Sequence, residues 1–172
     1  MRAAVISIST SRSAGAGPDL GGDALERYAR ALGAEILGRD LIPDDPERIR
    51  RRLVHWADTA GAGLILTTGG TGFSPTDLTP EATRAVIDRE APGLAEAMRL
   101  ASREHTVHWM LSRGVAGIRG ASLIVNFPGS PRSIDQAGAA LAPALAHAVA
   151  LITGESGPEA SHASGSSTTA SH

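Results

Sequence analysis

Cysteine is absent from the 172 residues, and so is lysine, because all sixteen basic residues are arginine. Without thiols there is no disulfide, no thiolate metal site and no thiol nucleophile. Without lysine there is no catalytic lysine and no Walker-type phosphate lysine. Aromatic residues make up 3% of the chain, so the core has to be assembled from Ala, Val, Leu and Ile. No uninterrupted apolar run reaches the roughly 18 residues expected of a membrane span. A net charge of −2 argues against a general nucleic-acid binder. The one basic run, Arg50-Arg51-Arg52, is read as the exposed side of a helix.

What is present fits one domain with a full core: 42% hydrophobic and 20% charged residues,. The N-terminus, Met1-Arg2-Ala3-Ala4-Val5-Ile6, runs directly into strand-like sequence without a signal-peptide cleavage region, so a cytoplasmic protein is expected.

The organising stretch is Gly63 to Pro80. Leu64-Ile65-Leu66 reads as a strand buried on both faces. Thr67-Thr68 then leads into Gly69-Gly70-Thr71-Gly72, where glycines allow positive φ and close approach to a ligand. Asp77 follows, and Thr79-Pro80-Glu81 reads as a helix start with Thr79 as N-cap. Strand, glycine loop, acid and helix in this order put amides and a carboxylate where open α/β sheets bind ligands.

Two further strand ends carry the same message. Ala3 to Ser9 reads as a central strand, followed by a long small-residue loop from Thr10 to Gly22; Ser9, Thr10, Ser11, Arg12 and Asp19 can reach a ligand there, and a mobile lid is the equal alternative. Ala121 to Phe127 reads as a buried strand ending in Pro128-Gly129-Ser130-Pro131. A helix is expected from Leu25, Tyr28, Ala29 and Leu32, ending at Gly33. A strand follows over 34–42, leading to Asp44 and Asp45, which by local chemistry are helix-capping acids ahead of Pro46. Ile49, Leu53, Trp56 and Ala57 mark the buried stripe of the next helix. Further helices are expected over 80–88 and from Pro92 through Ala101, and Val115–Ile118 reads as a short strand. The last helix carries Ile134, Gly138, Leu141, Leu145, Ala148 and Ile152 with a kink at Pro143. His105 and His108 have helical i, i+3 spacing but no third ligand nearby, so packing or surface is preferred over a metal. From Gly154 onward, His162 and His172 included, the composition is that of a disordered tail.

The pattern predicts an α/β fold: a three-layer sandwich with a mostly parallel central sheet over 1–153, and a tail over 154–172. The loops after residues 9, 68 and 127 then share one edge, and Asp44 can join them there. A neutral glycine loop, a serine loop and two carboxylates suit a phosphorylated ligand with Mg²⁺.

Leu-Thr-Thr-Gly-Gly-Thr-Gly at 66–72, Asp-Leu-Thr-Pro-Glu-Ala-Thr at 77–83, Leu-Ser-Arg at 111–113, Ala-Gly-Ile-Arg-Gly at 116–120 and Asn-Phe-Pro-Gly-Ser-Pro at 126–131 resemble the MogA/MoaB family of molybdenum-cofactor biosynthesis. The resemblance runs from about residue 3 to 152, in consistent order. It implies a molybdopterin-binding-like fold and a molybdopterin adenylyltransferase that uses molybdopterin and MgATP. By motif it implies Asp44 and Asp77 as catalytic acids and Mg²⁺ ligands. On the substrate side it points to Gly69, Gly70, Thr71 and Gly72 on one loop and to Gly129 and Ser130 on the opposing one; Ser9, Asp19 and Thr68, at the strand ends, complete the candidate substrate-binding set. It also implies a homotrimer and hand-over to a MoeA-type molybdate insertase. Arg113 and Arg132 are candidates for added positive charge. Two departures fall in the first-strand loop: Ser9-Thr10 stands where many members have Ser-Asp, and Asp19-Leu20-Gly21-Gly22 lacks the usual serine. A non-catalytic MoaB-type binder and a scaffold domain are the alternatives.

Overall fold

Residues 1–154 are described by a computed structural model, and its first strand sets the pattern for the rest. Along β1 (Arg2–Ile8) every residue after Arg2 is buried. Ala3 and Val5 face one core and Ala4, Ile6 and Ile8 face the other. That is the two-sided burial of a central parallel strand. The remaining strands are β2 (Glu35–Ile42), β3 (Leu64–Thr68), β4 (Arg89–Glu90), β5 (Ala116–Arg119) and β6 (Ser122–Phe127), in the order β2-β1-β3-β6-β5-β4. The first four in that order run parallel, and β5 and β4 add antiparallel pairings at one side.

The helices are α1 (Thr10–Ser13), α2 (Leu20–Ala31), α3 (Pro46–Val54), α4 (Thr79–Arg84), α5 (Pro92–Arg103) and α6 (Pro131–Thr153). One face of the sheet packs on α2, α5 and α6 through Leu25, Ala29, Met98, Ile134, Leu141 and Leu145. The other packs on α3 and α4 through Ile49, Leu53 and Ala82, with Val86 from the turn after α4 and Trp56 closing the layer. The expected three-layer sandwich with a mostly parallel sheet is therefore the observed architecture. The tail expected over 154–172 falls, from residue 155 on, outside the described residues, as do His162 and His172.

Several local expectations are corrected. The loop over Thr10–Gly22 is interrupted by α1, because the Ser9 hydroxyl accepts the Arg12 N–H, and α2 begins at Leu20 because Asp19 caps it. Asp45 alone caps α3, accepting from the Arg48 N–H at 2.7 Å, which leaves Asp44 free for another partner. Helical structure continues past α3 through a π-helical turn, His55–Thr59, that carries Trp56 into the core. Thr79 is not an N-cap. It is the first residue of α4, fully buried. The helix expected to reach residue 88 stops at Arg84, and Arg89–Glu90 pairs with β5 as a two-residue edge strand.

The arginine run is not a bare surface stripe. Arg50 pairs with Glu47, and Arg52 donates to Asp40 at 2.7 Å while lying 5.4 Å from the Trp56 ring centroid. Nor is every segment too polar for a span: α6, at 23 residues, has the length and apolarity to cross a bilayer. Much of that apolarity is alanine on the outer face, at Ala139, Ala140, Ala144 and Ala146, while Ile134, Leu141, Leu145 and Val149 form its core stripe.

Tyr28 shows how tightly α2 and α6 meet. A Cβ at Gly138 would come within 2.7 Å of the Tyr28 ring, and that ring packs tilted on Phe127 at 5.5 Å. The Tyr28 hydroxyl is buried without a hydrogen-bond partner, and burial pushes its pKa up to about 12. An unsatisfied buried hydroxyl is destabilising, and removing it while keeping the ring relieves about 1 kcal/mol or more. Tyr28→Phe should raise the urea midpoint; a lower midpoint would mean the hydroxyl has a partner in solution.

Candidate active site

The carboxyl ends of β1, β3 and β6 lie side by side because their ladders are in register. Ser7 aligns with Thr68, and Thr68 with Phe127. One residue earlier, on the opposite face, Asn126 donates to the hydroxyls of Thr67 and Thr83, each at 3.0 Å. This buried pairing, which the sequence reading did not anticipate, ties the strand ends to α4. The loops that follow are thereby fixed along one edge.

At the end of β3 the chain turns through Gly69 and Gly70, with φ of +94° and +63°. A Cβ at Gly69 would overlap the carbonyl oxygen of Ile8, and one at Gly70 would overlap the Thr79 hydroxyl. Thr79 donates that hydroxyl to the Gly69 carbonyl at 2.9 Å, and its own N–H reaches the Gly70 carbonyl at 3.1 Å. The loop is thus held from beneath by the first residue of α4, the residue that the sequence suggests as a cap.

Asp44 reaches this loop from β2. The Ser9 N–H donates to the Ile42 carbonyl at 2.8 Å, extending the β1–β2 pairing and bringing Asp44 against Thr10. Both the Thr10 N–H (2.7 Å) and its hydroxyl (2.8 Å) are within hydrogen-bond reach of Asp44 Oδ2. Oδ1 is turned to the glycine loop, 3.3 Å from where a Gly70 Cβ would stand. Asp77 lies by the same loop two residues further on, its Oδ2 accepting the Ser74 N–H at 3.0 Å and sitting 2.9 Å from the position of a Gly72 Cβ. Two carboxylates therefore stand close to the Gly70–Gly72 backbone, each with one oxygen free of protein hydrogen bonds among the described residues.

Arg113 holds Asp77 in place. Its Nε donates to the Gly72 carbonyl at 2.7 Å, Nη2 to the Asp77 carbonyl and Nη1 to Glu81. Its N–H bonds the Thr71 carbonyl at 2.9 Å. One guanidinium thus staples both ends of the segment from Gly72 to Asp77. The Leu-Ser-Arg motif was the available sequence signal for this residue; its role as a clamp was not legible there.

On the other side of the strand ends lies a cleft of about 270 Å³, lined among others by Ser9, Arg12, Asp19, Gly21, Thr68, Gly69 and Gly129. The N-termini of α2 and α6 border it, and such termini favour anions. Within its walls several expected ligand residues have structural partners. The Asp19 carboxylate caps α2 through the Gly22 N–H at 3.0 Å and pairs with Arg39 at 2.6 Å. Burial acts to raise the Asp19 pKa, but bonds from Arg39 and Gly22 and the Arg39 charge hold it below the usual value,. The Thr68 hydroxyl donates to the Pro128 carbonyl at 2.7 Å. Ser130 caps α6 through Ser133 and does not line the cleft. Arg39, which joins Asp19 and Asp23 across β2 and α2, gave no signal in the sequence.

The site accordingly has two branches. Ser9, Asp19, Thr68, Gly69 and Gly129 share the cleft, while Gly70, Thr71 and Gly72 lie with Asp44 and Asp77. His105 and His108 border a separate cavity beside Arg132. Among the described residues no group of three or more His, Cys, Asp or Glu side chains could hold a metal by itself. Two carboxylates with free oxygens still fit Mg²⁺, which keeps waters and takes substrate phosphates as ligands rather than a full protein cage.

A parallel sheet whose carboxyl edge carries a glycine loop, two helix N-termini and two separately anchored acids defines an α/β protein built to bind a phosphorylated ligand. The chain belongs to the probable molybdopterin binding domain family, which it matches over residues 4–147. It is 38% identical over 152 residues to the molybdopterin adenylyltransferase of Helicobacter pylori strain J99, covering 87% of this chain and 86% of that one. Over 118 residues it is 42% identical to the molybdenum cofactor synthesis protein cinnamon of Drosophila melanogaster. That match covers 69% of this chain but only 20% of the much longer relative. The molybdopterin biosynthesis enzyme MoaB of Thermus thermophilus superposes with a TM-score of 0.84 at 44% identity, over 89% of this chain and 96% of that one.

Proposed function

We propose that the protein is a molybdopterin adenylyltransferase acting in molybdenum cofactor biosynthesis. A terminal phosphate oxygen of molybdopterin attacks the α-phosphorus of ATP. The bond from that phosphorus to the α–β bridging oxygen breaks, and pyrophosphate leaves with both electrons of the broken bond. The observation that carries this reading is the placement of Asp44 beside Gly70 and Asp77 beside Gly72, on one glycine loop. Relatives bearing this name, 38% identical over most of both chains, support it.

Joining two phosphates needs anions brought together and a leaving charge neutralised, so positioning and electrostatics do most of the work. The glycine-loop amides and the N-termini of α2 and α6 bind and orient the phosphates. Thr10 fixes Asp44 and Arg113 fixes the Asp77 loop, so neither acid has to reorganise when the nucleotide arrives. Asp44 and Asp77 would hold Mg²⁺, which when bound with ATP supplies charge neutralisation for the departing pyrophosphate. Neither acid has to act as a base, because the incoming phosphate is already largely ionised. The reading extends to a cytoplasmic homotrimer that passes its adenylylated product to a MoeA-type insertase.

The test is pyrophosphate release from MgATP by the native protein, with and without molybdopterin. Release that requires both substrates supports the transferase. Molybdopterin binding without any release would replace it with a binding-only MoaB-type role.

A further inference from the structure

The two acids of the glycine edge do not hold their oxygens alike. Asp44 forms a closed ring with Thr10. The Thr10 N–H donates to Asp44 Oδ2 at 2.7 Å, and the Thr10 hydroxyl donates to the same oxygen at 2.8 Å. The Asp44 N–H donates back to that hydroxyl oxygen at 3.0 Å. A carboxylate oxygen offers two lone pairs, so Oδ2 is fully engaged within the protein. Only Oδ1, turned to Gly70, remains for a ligand from outside. Rotating the carboxylate to present both oxygens would break two charge-assisted bonds at once. The donor pair is itself anchored: Thr10 opens α1, and its carbonyl accepts the Ser13 hydroxyl at 3.0 Å and the Ala14 N–H at 3.2 Å. Asp77 is less restrained, because among the described residues its Oδ2 accepts one bond, from the Ser74 N–H at 3.0 Å.

Oxygen sites tell divalent cations apart by how many oxygens they bring and how freely these move. Ca²⁺ takes about six to eight, often with a carboxylate presenting both of its own. Mg²⁺ requires a tight octahedron, keeps several waters and uses one or two carboxylates beside substrate phosphates. A donor ring that withdraws one oxygen of Asp44 and fixes the other suits the second cation and not the first. The residue type matters here, since Thr10 stands where many similar chains have an aspartate. An ionised acid at this position would add two oxygens to the edge, and as an acceptor only it could not donate to Oδ2. Resting on the adenylyltransferase reading, we infer that Thr10 is the cation-selecting residue of this site. By closing Oδ2 it restricts Asp44 to a single oxygen and sets the edge for Mg²⁺ over Ca²⁺. Thr10 acts through Asp44 and is therefore a positioning residue.

The experiment measures binding of a non-hydrolysable ATP analogue to the full chain by calorimetry, once with Mg²⁺ and once with Ca²⁺, each saturating the analogue. This readout needs no turnover. The native protein should bind the magnesium complex about tenfold or more tightly than the calcium complex. Thr10→Val keeps the backbone N–H and the side-chain shape but removes the hydroxyl, which reopens Oδ2. The preference should then shrink to about threefold or less. Thr10→Ser, which keeps the hydroxyl, should retain the native ratio, and Thr10→Asp should bring the two complexes closest together. A merely structural role for Thr10 would weaken both complexes alike and leave their ratio unmoved in Thr10→Val. That result overturns the assignment, as does a native protein that binds both complexes equally. Melting curves accompany each variant; if Thr10→Val fails to fold, Thr10→Asp against Thr10→Ser decides. Pyrophosphate release by the native protein with molybdopterin and MgATP separates the two claims. Release with an unmoved ratio in Thr10→Val sinks the cation selection and keeps the transferase. A ratio that closes as expected, without native release, does the reverse. A native protein that binds neither complex overturns both.

Discussion

Asp77→Asn is expected to lower pyrophosphate release about 10²- to 10³-fold, the cost of removing one preorganised charge-stabilising group from a phosphoryl-transfer site. The fold should survive. The Asn side-chain oxygen can still accept the Ser74 N–H that Asp77 now accepts at 3.0 Å, and Arg113 still holds the backbone carbonyl of residue 77. What is lost is the negative charge beside Gly72. Excess Mg²⁺ should recover part of the activity if the carboxylate acts through the cation. Steady-state rates at several Mg²⁺ concentrations, beside an unchanged melting curve, make the measurement. Near-native kcat in Asp77→Asn would remove Asp77 from the chemistry and leave it as a turn residue.

Gly69→Ala should be the most damaging single methyl in the chain. Residue 69 has φ of +94°, where a Cβ is strained, and the added carbon would overlap the carbonyl oxygen of Ile8, at the end of the adjacent strand. Left-handed backbone alone costs about 1–2 kcal/mol. A clash with main chain adds to it, because a strand in a six-stranded sheet cannot step aside cheaply. Gly120→Ala is the control: φ is +52° there, and a Cβ would meet nothing within 4 Å. In urea, Gly69→Ala should lose about 3 kcal/mol or more and Gly120→Ala about 1 kcal/mol. Equal losses would show that only the dihedral, and not the close approach of the β1 and β3 ends, constrains the loop.

The strands β1, β3 and β6 were legible because a strand buried on both faces reads as an unbroken apolar run. The glycine loop was legible because its signal lies within a few consecutive residues. The motif around Asp77 and the family resemblance rest on the same kind of local pattern. Local chemistry misled where two residues compete for one role. Asp44 and Asp45 both suit a helix cap, and only the pairing of β2 with β1 shows that Asp45 takes it while Asp44 turns to Thr10. Thr79 has the composition of a cap, yet it is buried beneath the glycine loop and spends its hydroxyl on Gly69.

By itself the sequence determined the alternation of strands and helices, the two-sided burial of the sheet and the identity of the glycine loop. These depend on hydrophobic period and on backbone preferences within one element. Only the tertiary structure decided which side chains meet. Thr10 meets Asp44 across 34 residues and Arg113 meets the Asp77 segment across 36, while Trp109 and Arg132 come to share a cavity. Those meetings are set by strand order and helix docking, which arise from the packing of the whole chain and leave no periodic trace in any one segment of it.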